Sequence, residues 1–242
     1  MINTVKFCDY SDFDNPEFKA TLTEIDNEIH PYINFTAKTR KIWETTMCVH
    51  AMKKYGYLDG AKRCLNIGSG CERIILYLSN RLREIICIDK FDHPDSKEPF
   101  LNHSLSPQQV VNNFLSPNLF PKISFRQNSI TPMIMDGLSL NFPDNSFDLI
   151  FSISSMEHFG DLPLAYQEAL RVLKPNGMFF ISVDIEPSQS GIQRIKTAIP
   201  VQAQLVEPIQ DIVAYKGVDG INRPWNEAPF TTIGYKKVYS FV

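Results

Sequence analysis

The stretch Cys64-Leu65-Asn66-Ile67-Gly68-Ser69-Gly70-Cys71-Glu72 constrains this chain more than any other. A short apolar run breaks into two glycines and leads into Arg73-Ile74-Ile75-Leu76-Tyr77-Leu78, where Ile74, Leu78 and Leu82 recur at helical spacing. The pattern predicts a buried strand, a tight turn and a helix. Glycine suits such a turn for two reasons: the backbone angles exclude most side chains, and a ligand can approach the chain closely only where there is no Cβ. A nucleotide-type crevice begins this way, and so does a plain turn, so the choice rests on the rest of the chain.

Downstream, Glu84-Ile85-Ile86-Cys87-Ile88-Asp89 reads as a second buried strand that ends in a carboxylate. In a strand-turn-helix-strand unit, an acid roughly 20 residues past the glycines stands beside the ribose of a bound adenosine and accepts from its hydroxyls. Asp89 falls at that position, and the distance from the glycines favours this role over a solvated strand end. Upstream, Phe18 to Ile29 is a helix candidate ended by Pro31. A stronger helix follows, capped by Thr36 or Thr39, with Ile42, Trp43, Met47, Val49 and Ala51 at helical spacing up to Tyr55-Gly56. It either covers the crevice or packs only on the sheet edge, so Lys38, Arg40 and Lys41 receive no role.

The second half repeats the alternation. Lys122 to Arg126 is a predicted strand ending at Gln127-Asn128-Ser129, and the turn Phe142-Pro143-Asp144-Asn145 feeds a strand through Ser152. An amphipathic helix from Asp161 to Lys174 carries Leu162, Ala165, Tyr166, Ala169, Leu170 and Leu173; Lys174-Pro175-Asn176-Gly177 stops it, and Gly177 to Val183 is a further strand. Strands alternating with helices predict a mostly parallel, doubly wound α/β sheet buried on both faces. The proline-rich connection 92–121 reads as a lid or substrate loop containing one short helix from Ser106-Pro107. Residues 185–230 are irregular apart from a helix near 192–198 or a strand near 202–206, and Thr232 to Val242 alternates as a closing strand.

Composition narrows the classes. The 242 residues, 43% apolar and 21% charged, suit one sizeable α/β domain. A net charge of −3 argues against a general attraction to nucleic acid or to anionic membrane. The apolar runs are too short to span a bilayer and Met1 to Lys19 is too acidic for a signal peptide, so the expectation is a cytoplasmic protein without membrane insertion. Cys8, Cys48, Cys64, Cys71 and Cys87 include no close pair and are expected to be reduced core residues. His93 and His103 have no ligand set around them, so no metal is expected.

At this point the sequence resembles the class I S-adenosylmethionine-dependent methyltransferases, type 11 in particular. The resemblance is carried by Leu65-Asn66-Ile67-Gly68-Ser69-Gly70, Ile88-Asp89, Phe147-Asp148-Leu149-Ile150, Met156-Glu157-His158 and Glu168-Ala169-Leu170-Arg171-Val172-Leu173-Lys174-Pro175-Asn176-Gly177, over about residues 62 to 184. It implies a Rossmann-like, mostly parallel seven-stranded sheet with an antiparallel last strand and helices on both faces. Residues 1–60 would then form an N-terminal helical cap and residues 61–242 the cofactor-binding domain. Arg40-Lys41-Ile42-Trp43-Glu44 ahead of the glycine turn looks like a bacterial subgroup associated with glycan biosynthesis.

The resemblance also implies a site. Gly68, Ser69 and Gly70 would line the methionine portion of S-adenosylmethionine, Asp89 would bind the ribose, Asn128 and Ser129 would stand where the family has an adenine-facing acid, and Ser152 and Ile153 would border the methionine. Two residues depart from the pattern. Asn66 replaces an acid that orients the ammonium, and Glu72 replaces a third glycine; Glu72 would either face the ammonium or sit at the positive end of the helix.

A sulfonium methyl is already activated, so the protein mainly has to hold a nucleophile in line and exclude water. With a hydroxyl acceptor on a small molecule or saccharide, His158 is the candidate base and Glu157 its orienting partner or a substrate contact. Equally, His158 serves only to start the following helix. Two rival functions remain open: a non-catalytic cofactor-binding relative, suggested by Asn66, and an NAD-dependent oxidoreductase, disfavoured because Arg73 stands where dinucleotide geometry needs Gly or Ala. The oligomeric state has no signature in the sequence.

Overall fold

The computed structural model describes residues 2–30, 38–70, 72–92, 105–116, 123–184, 203–205 and 230–237. In chain order the elements are β1 (Lys6–Phe7), α1 (Pro16–Ile29), α2 (Arg40–Lys54), β2 (Arg63–Ile67), α3 (Ile74–Ser79), β3 (Glu84–Asp89), α4 (Pro107–Asn113), β4 (Ile130–Ile134), β5 (Phe147–Ile153), α5 (Leu162–Val172), β6 (Leu173–Asp184), β7 (Ala203–Leu205) and β8 (Phe230–Lys237). The expected helix near 192–198, His93, His103, Thr36 and most of the connections 92–121 and 185–230 lie outside the described residues.

Five strands, ordered β4-β3-β2-β5-β6, run parallel. On the β6 side β8 pairs antiparallel, and both β1 and the short β7 pair antiparallel with β8. The expectation of seven strands is thereby corrected: among the described residues the parallel part has five strands and the sheet eight. The extra strand reflects the N-terminal segment, since Lys6 and Phe7 reach across to Thr232 and Thr231.

β2, β3 and β5 read as apolar runs because both of their faces are covered. Side chains alternate between the faces. Cys64, Cys87, Leu149, Phe151, Met178 and Phe180 join α1, α2 and α3 in one core, whereas Leu65, Ile67, Ile150, Phe179 and Ile181 join α5 in the other. At about 1.5–3 kcal/mol for each fully buried large apolar side chain, these two layers supply the main drive to fold. Cys8, Cys48, Cys64 and Cys87 are buried free thiols within the first layer.

Local signals fix the helix ends. Asn15 accepts from the Glu17 and Phe18 amides ahead of Pro16, Thr39 accepts from Ile42, and Asp161 accepts from Leu164. Ser106 and Gln109 form a reciprocal capping box on α4. A buried polar knot seats α2: the Trp43 indole N–H donates to Asp12 (2.8 Å), which also holds Lys6 (2.7 Å).

The third strand departs from the sequence reading. Residues 123–126 are not a strand; β4 begins at Ile130, after a 3-10 turn at Gln127–Ser129. Pro132 lies inside β4, and a proline there is tolerated because β4 is the edge of the described sheet, where one side of the strand needs no partner. Among the described residues, no helix is long and apolar enough to cross a membrane.

Candidate functional site: the crevice at the carboxyl ends of the strands

Parallel strands place their carboxyl ends on one edge of the sheet, and there β2, β3, β4 and β5 open onto a cavity of about 610 Å³. That falls within the range of about 300–1,000 Å³ typical of small-ligand sites. The glycine turn forms one wall. Gly68 and Gly70 both take positive φ (66° and 42°), and a Cβ on Gly68 would lie 1.7 Å from the Ser155 Oγ. Glycine is therefore required at 68 by conformation and by space. The Ser69 amide donates to the Ile88 carbonyl (2.9 Å), which ties the turn to the end of β3.

Asp89 ends β3 and lines the cavity while only 6% exposed. Its Oδ2 accepts from the Gly70 amide (2.9 Å) and its Oδ1 from the Phe91 amide (2.8 Å), so the carboxylate is locked in place beside the glycines. Next to it, Lys90 pairs with Asp136 across 3.0 Å. The Leu138 amide and then Lys90 hold the Asp136 carboxyl below the usual carboxylate range. Helix α2 closes another side with Lys41, Ile42 and Thr45. Lys41 pairs with Glu72 at 2.9 Å; burial alone would lower its ammonium, but the carboxylates of Glu72 and Glu44 outweigh burial and raise it.

Of the residues expected from sequence, Gly68, Ser69, Gly70, Glu72, Asp89, Ile153 and His158 line this cavity together. Asn66 and Ser152 lie just behind it, fully buried, with both polar atoms of Asn66 and the Ser152 hydroxyl lacking a hydrogen-bond partner among the described residues; the Ser69 hydroxyl is likewise unpartnered. Glu157 shares the 3-10 turn Met156–His158 but does not line the cavity.

Asn128 and Ser129 are not brought to the site. They precede β4, at the far end of the strand; Asn128 is exposed and the Ser129 hydroxyl donates to the Arg126 and Ser79 carbonyls (2.7 and 3.2 Å). The shift follows from placing the strand at 122–126 rather than 130–134. With the observed register, Met135, Asp136 and Gly137 follow the carboxyl end of β4 and line the cavity. The sequence signal was present: Asp136 follows the apolar residues Met133, Ile134 and Met135, as Asp89 follows its own strand. Glu44 was also missed, a carboxylate with 0% exposure on α2 that accepts from Ser154 (2.8 Å to each oxygen) and from Ser182 (2.7 Å).

A glycine turn, a locked acid on the next strand and a crevice at the carboxyl ends define an adenosine-type cofactor site. The comparisons agree. Residues 65–181 match a family model described as a methyltransferase domain. The chain is 48% identical over 44 residues to the sterol 24-C-methyltransferase erg6 of Aspergillus fumigatus, covering 18% of this chain and 12% of that protein. It is 30% identical over 119 residues to the uncharacterized methyltransferase YcgJ of Bacillus subtilis, covering 49% and 39%. The match thus spans less than half the length of these curated relatives. In architecture it is similar to a solved S-adenosylmethionine-dependent methyltransferase of Methanococcus maripaludis, with a TM-score of 0.55, 15% identity, and 100% and 97% of the two chains covered.

The central region is thus similar to a methyltransferase domain, and its fold is that of a solved S-adenosylmethionine-dependent methyltransferase. The residues fit S-adenosylmethionine: the turn is bare where backbone must approach a ligand, and the unpartnered polar atoms of Asn66, Ser69 and Ser152 gather at the same end of the sheet.

Proposed function

We propose that the protein is a methyltransferase that moves the methyl group of S-adenosylmethionine to an oxygen of a small-molecule or saccharide acceptor. The observation that carries this reading is the single crevice in which the glycine turn, Asp89 and His158 meet. In the proposal, Asp89 holds the ribose hydroxyls, and the Asp136–Gly137 corner takes the adenine-facing position assigned from sequence to Asn128 and Ser129. Gly68 to Gly70 and Ile153 flank the methionine part, with Asn66 and Ser152 behind them. The sulfonium supplies an electrophilic methyl, and the residues of the chain do the rest by positioning and by excluding water.

His158 is the proton acceptor in this reading. It is exposed at the rim of the cavity, on the turn that follows β5, so a bound hydroxyl can meet it from the solvent side. Glu157 is adjacent and serves as its orienting partner. Residues 1–60 act as a cap over the site, a role supported by Lys41, Ile42 and Thr45 in the lining. His158→Ala is expected to lower turnover on a hydroxyl acceptor by about 10²–10⁴-fold while calorimetry with S-adenosylmethionine stays near wild type. Unchanged turnover would remove His158 from the mechanism.

A further inference from the structure

One charged group near the crevice has no part in the chemistry described so far. Glu44 lies in the interior of α2 with 0% exposure, yet its helix neighbours Lys41 and Thr45 line the cavity. Two hydroxyls close over its carboxylate. Ser182 alternates with Met178 and Phe180 along β6 and so faces α2, and its Oγ donates at 2.7 Å. Ser154 donates from the end of β5 and itself lines the cavity, so one hydroxyl separates the carboxylate from the ligand space.

The arrangement is held under tension. Ser154 takes φ of 47°, a left-handed conformation that costs a non-glycine residue on the order of 1–3 kcal/mol. Its amide donates to the Ser182 carbonyl (2.9 Å), so both groups that clamp Glu44 are also clamped to each other. A backbone held this way beside a cavity points to a role for the side chain it presents.

We propose that Glu44, acting through Ser154, senses the positive charge of the donor and makes the crevice discriminate the sulfonium donor from its demethylated product. The proposal rests on the reading that the crevice takes S-adenosylmethionine. The donor carries a sulfonium, an ammonium and a carboxylate, a net charge of +1, whereas S-adenosylhomocysteine has lost the sulfonium charge and is neutral overall. An ionised Glu44 under the pocket attracts the first and is indifferent to the second. Asn66 brings no charge to the floor of the site and the Asp89 carboxylate is taken up by the Gly70 and Phe91 amides, which leaves Glu44 as a buried carboxyl, one hydroxyl from the cavity, for that role.

Burial raises the Glu44 carboxyl, and the opposing pull of Lys41, the two serines and Arg40 leaves it at about 7. The charged groups around it are Lys41 and Arg40 on its own helix and, from the N-terminal segment, the thiol of Cys8, itself pushed up by burial and then by Glu44; Ser154 and Ser182 face it from β5 and β6 without titrating. Glu72 acts at one remove, by pairing with Lys41. Binding of a cation favours the carboxylate, and the proton leaves to solvent.

Calorimetry with S-adenosylmethionine and S-adenosylhomocysteine, from pH 6 to pH 8, tests this. If the donor lowers the Glu44 carboxyl by one pH unit, donor affinity rises about five-fold over that range and about half a proton is released at pH 6.5, read from heats in buffers of different ionisation enthalpy. The product is expected to show neither effect beyond what Glu44→Gln retains. Glu44→Gln should bind the donor with the affinity of wild type at pH 6 throughout, and the difference between the two proteins isolates Glu44 from His158, which both keep. Ser182→Ala, which leaves the cavity lining intact, removes one donor from the carboxylate and should move the midpoint to higher pH; it carries the test should Glu44→Gln not fold. Equal pH slopes for donor and product, a wild-type slope in Glu44→Gln, or an unmoved midpoint in Ser182→Ala would each overturn the proposal while leaving the cofactor reading intact. No heat with either ligand at any pH would overturn both.

Discussion

The two ends of the parallel strands make opposite use of their polar residues. At the amino-terminal end the charged motif residues Asp148, Glu168, Arg171 and Lys174 all have partners. Asp148 accepts from the Arg63 amide and from Lys174, both at 2.9 Å, and Arg171 donates to Glu168, Asp144 and the carbonyls of Leu140 and Phe142. Those bonds hold the Asp148 carboxyl below its usual range against the upward pull of burial, and raise the Arg171 guanidinium. At the carboxyl end, Asn66, Ser69 and Ser152 are buried with hydrogen-bonding capacity unused, and Glu44 is a charge in the interior. A buried polar group without a partner costs about 1–3 kcal/mol, so the second end carries a cost that the first does not, and its unused hydrogen-bonding capacity is available to a ligand. The sequence stretch Glu168 to Gly177, so specific to the family, turns out to build the scaffold rather than the site.

Substitutions at the two ends should therefore separate stability from binding. Gly68→Ala is expected to have the largest effect on binding: the added methyl collides with Ser155 and opposes the positive φ, so donor affinity should fall by about 100-fold or more, roughly 3 kcal/mol, in calorimetry. Retained affinity would mean that the turn does not form the pocket wall.

Glu44→Gln should show a pH-dependent stability of comparable size. The folded carboxyl sits at about 7 against a reference of 4.5. Its contribution is present in full below the unfolded value and is lost as pH rises through 7, because the folded protein then has to bury a charge. The stability of Glu44→Gln relative to wild type in urea unfolding should accordingly grow between pH 5 and pH 8 by on the order of 3 kcal/mol. A constant difference across that range would show that Glu44 is already ionised in the folded protein at pH 5.

Arg171→Ala, at the satisfied end, is expected to cost about 2 kcal/mol in the same unfolding experiment, with donor affinity unchanged. A loss of binding without a loss of stability would reverse the assignment of the two ends. The smallest effect belongs to Ser152→Ala. Removing an unsatisfied buried hydroxyl should leave stability within about 0.5 kcal/mol of wild type or raise it, while donor affinity falls.

The contrast between the ends also explains what the sequence made legible. β2, β3 and β5 stand out because strands buried on both faces read as unbroken apolar runs, and α5 because its stripe is bounded by Asp161 and by Pro175-Asn176-Gly177. The glycine turn and Asp89 follow from spacing alone. β4 was not legible at its true register, because Pro132 interrupts its apolar run, a break that an edge strand can tolerate; the misplaced strand put Asn128 and Ser129 where the structure has Met135, Asp136 and Gly137 at the cavity. Glu44 was hidden for another reason. Its partners Ser154 and Ser182 are 110 and 138 residues away, and a helix pattern assigns an interior charge to solvent unless the tertiary fold is known. β1 was invisible because two residues carry no periodicity, and only pairing with β8 defines it.

The measurement that tests the account most directly is titration calorimetry of the purified protein with S-adenosylhomocysteine, with NADH in parallel, beside the Asp89→Ala variant. The expected result is saturable one-to-one binding of S-adenosylhomocysteine, lost or greatly weakened in Asp89→Ala, and no heat with NADH. No heat with S-adenosylhomocysteine, or equal binding by wild type and Asp89→Ala, would contradict it.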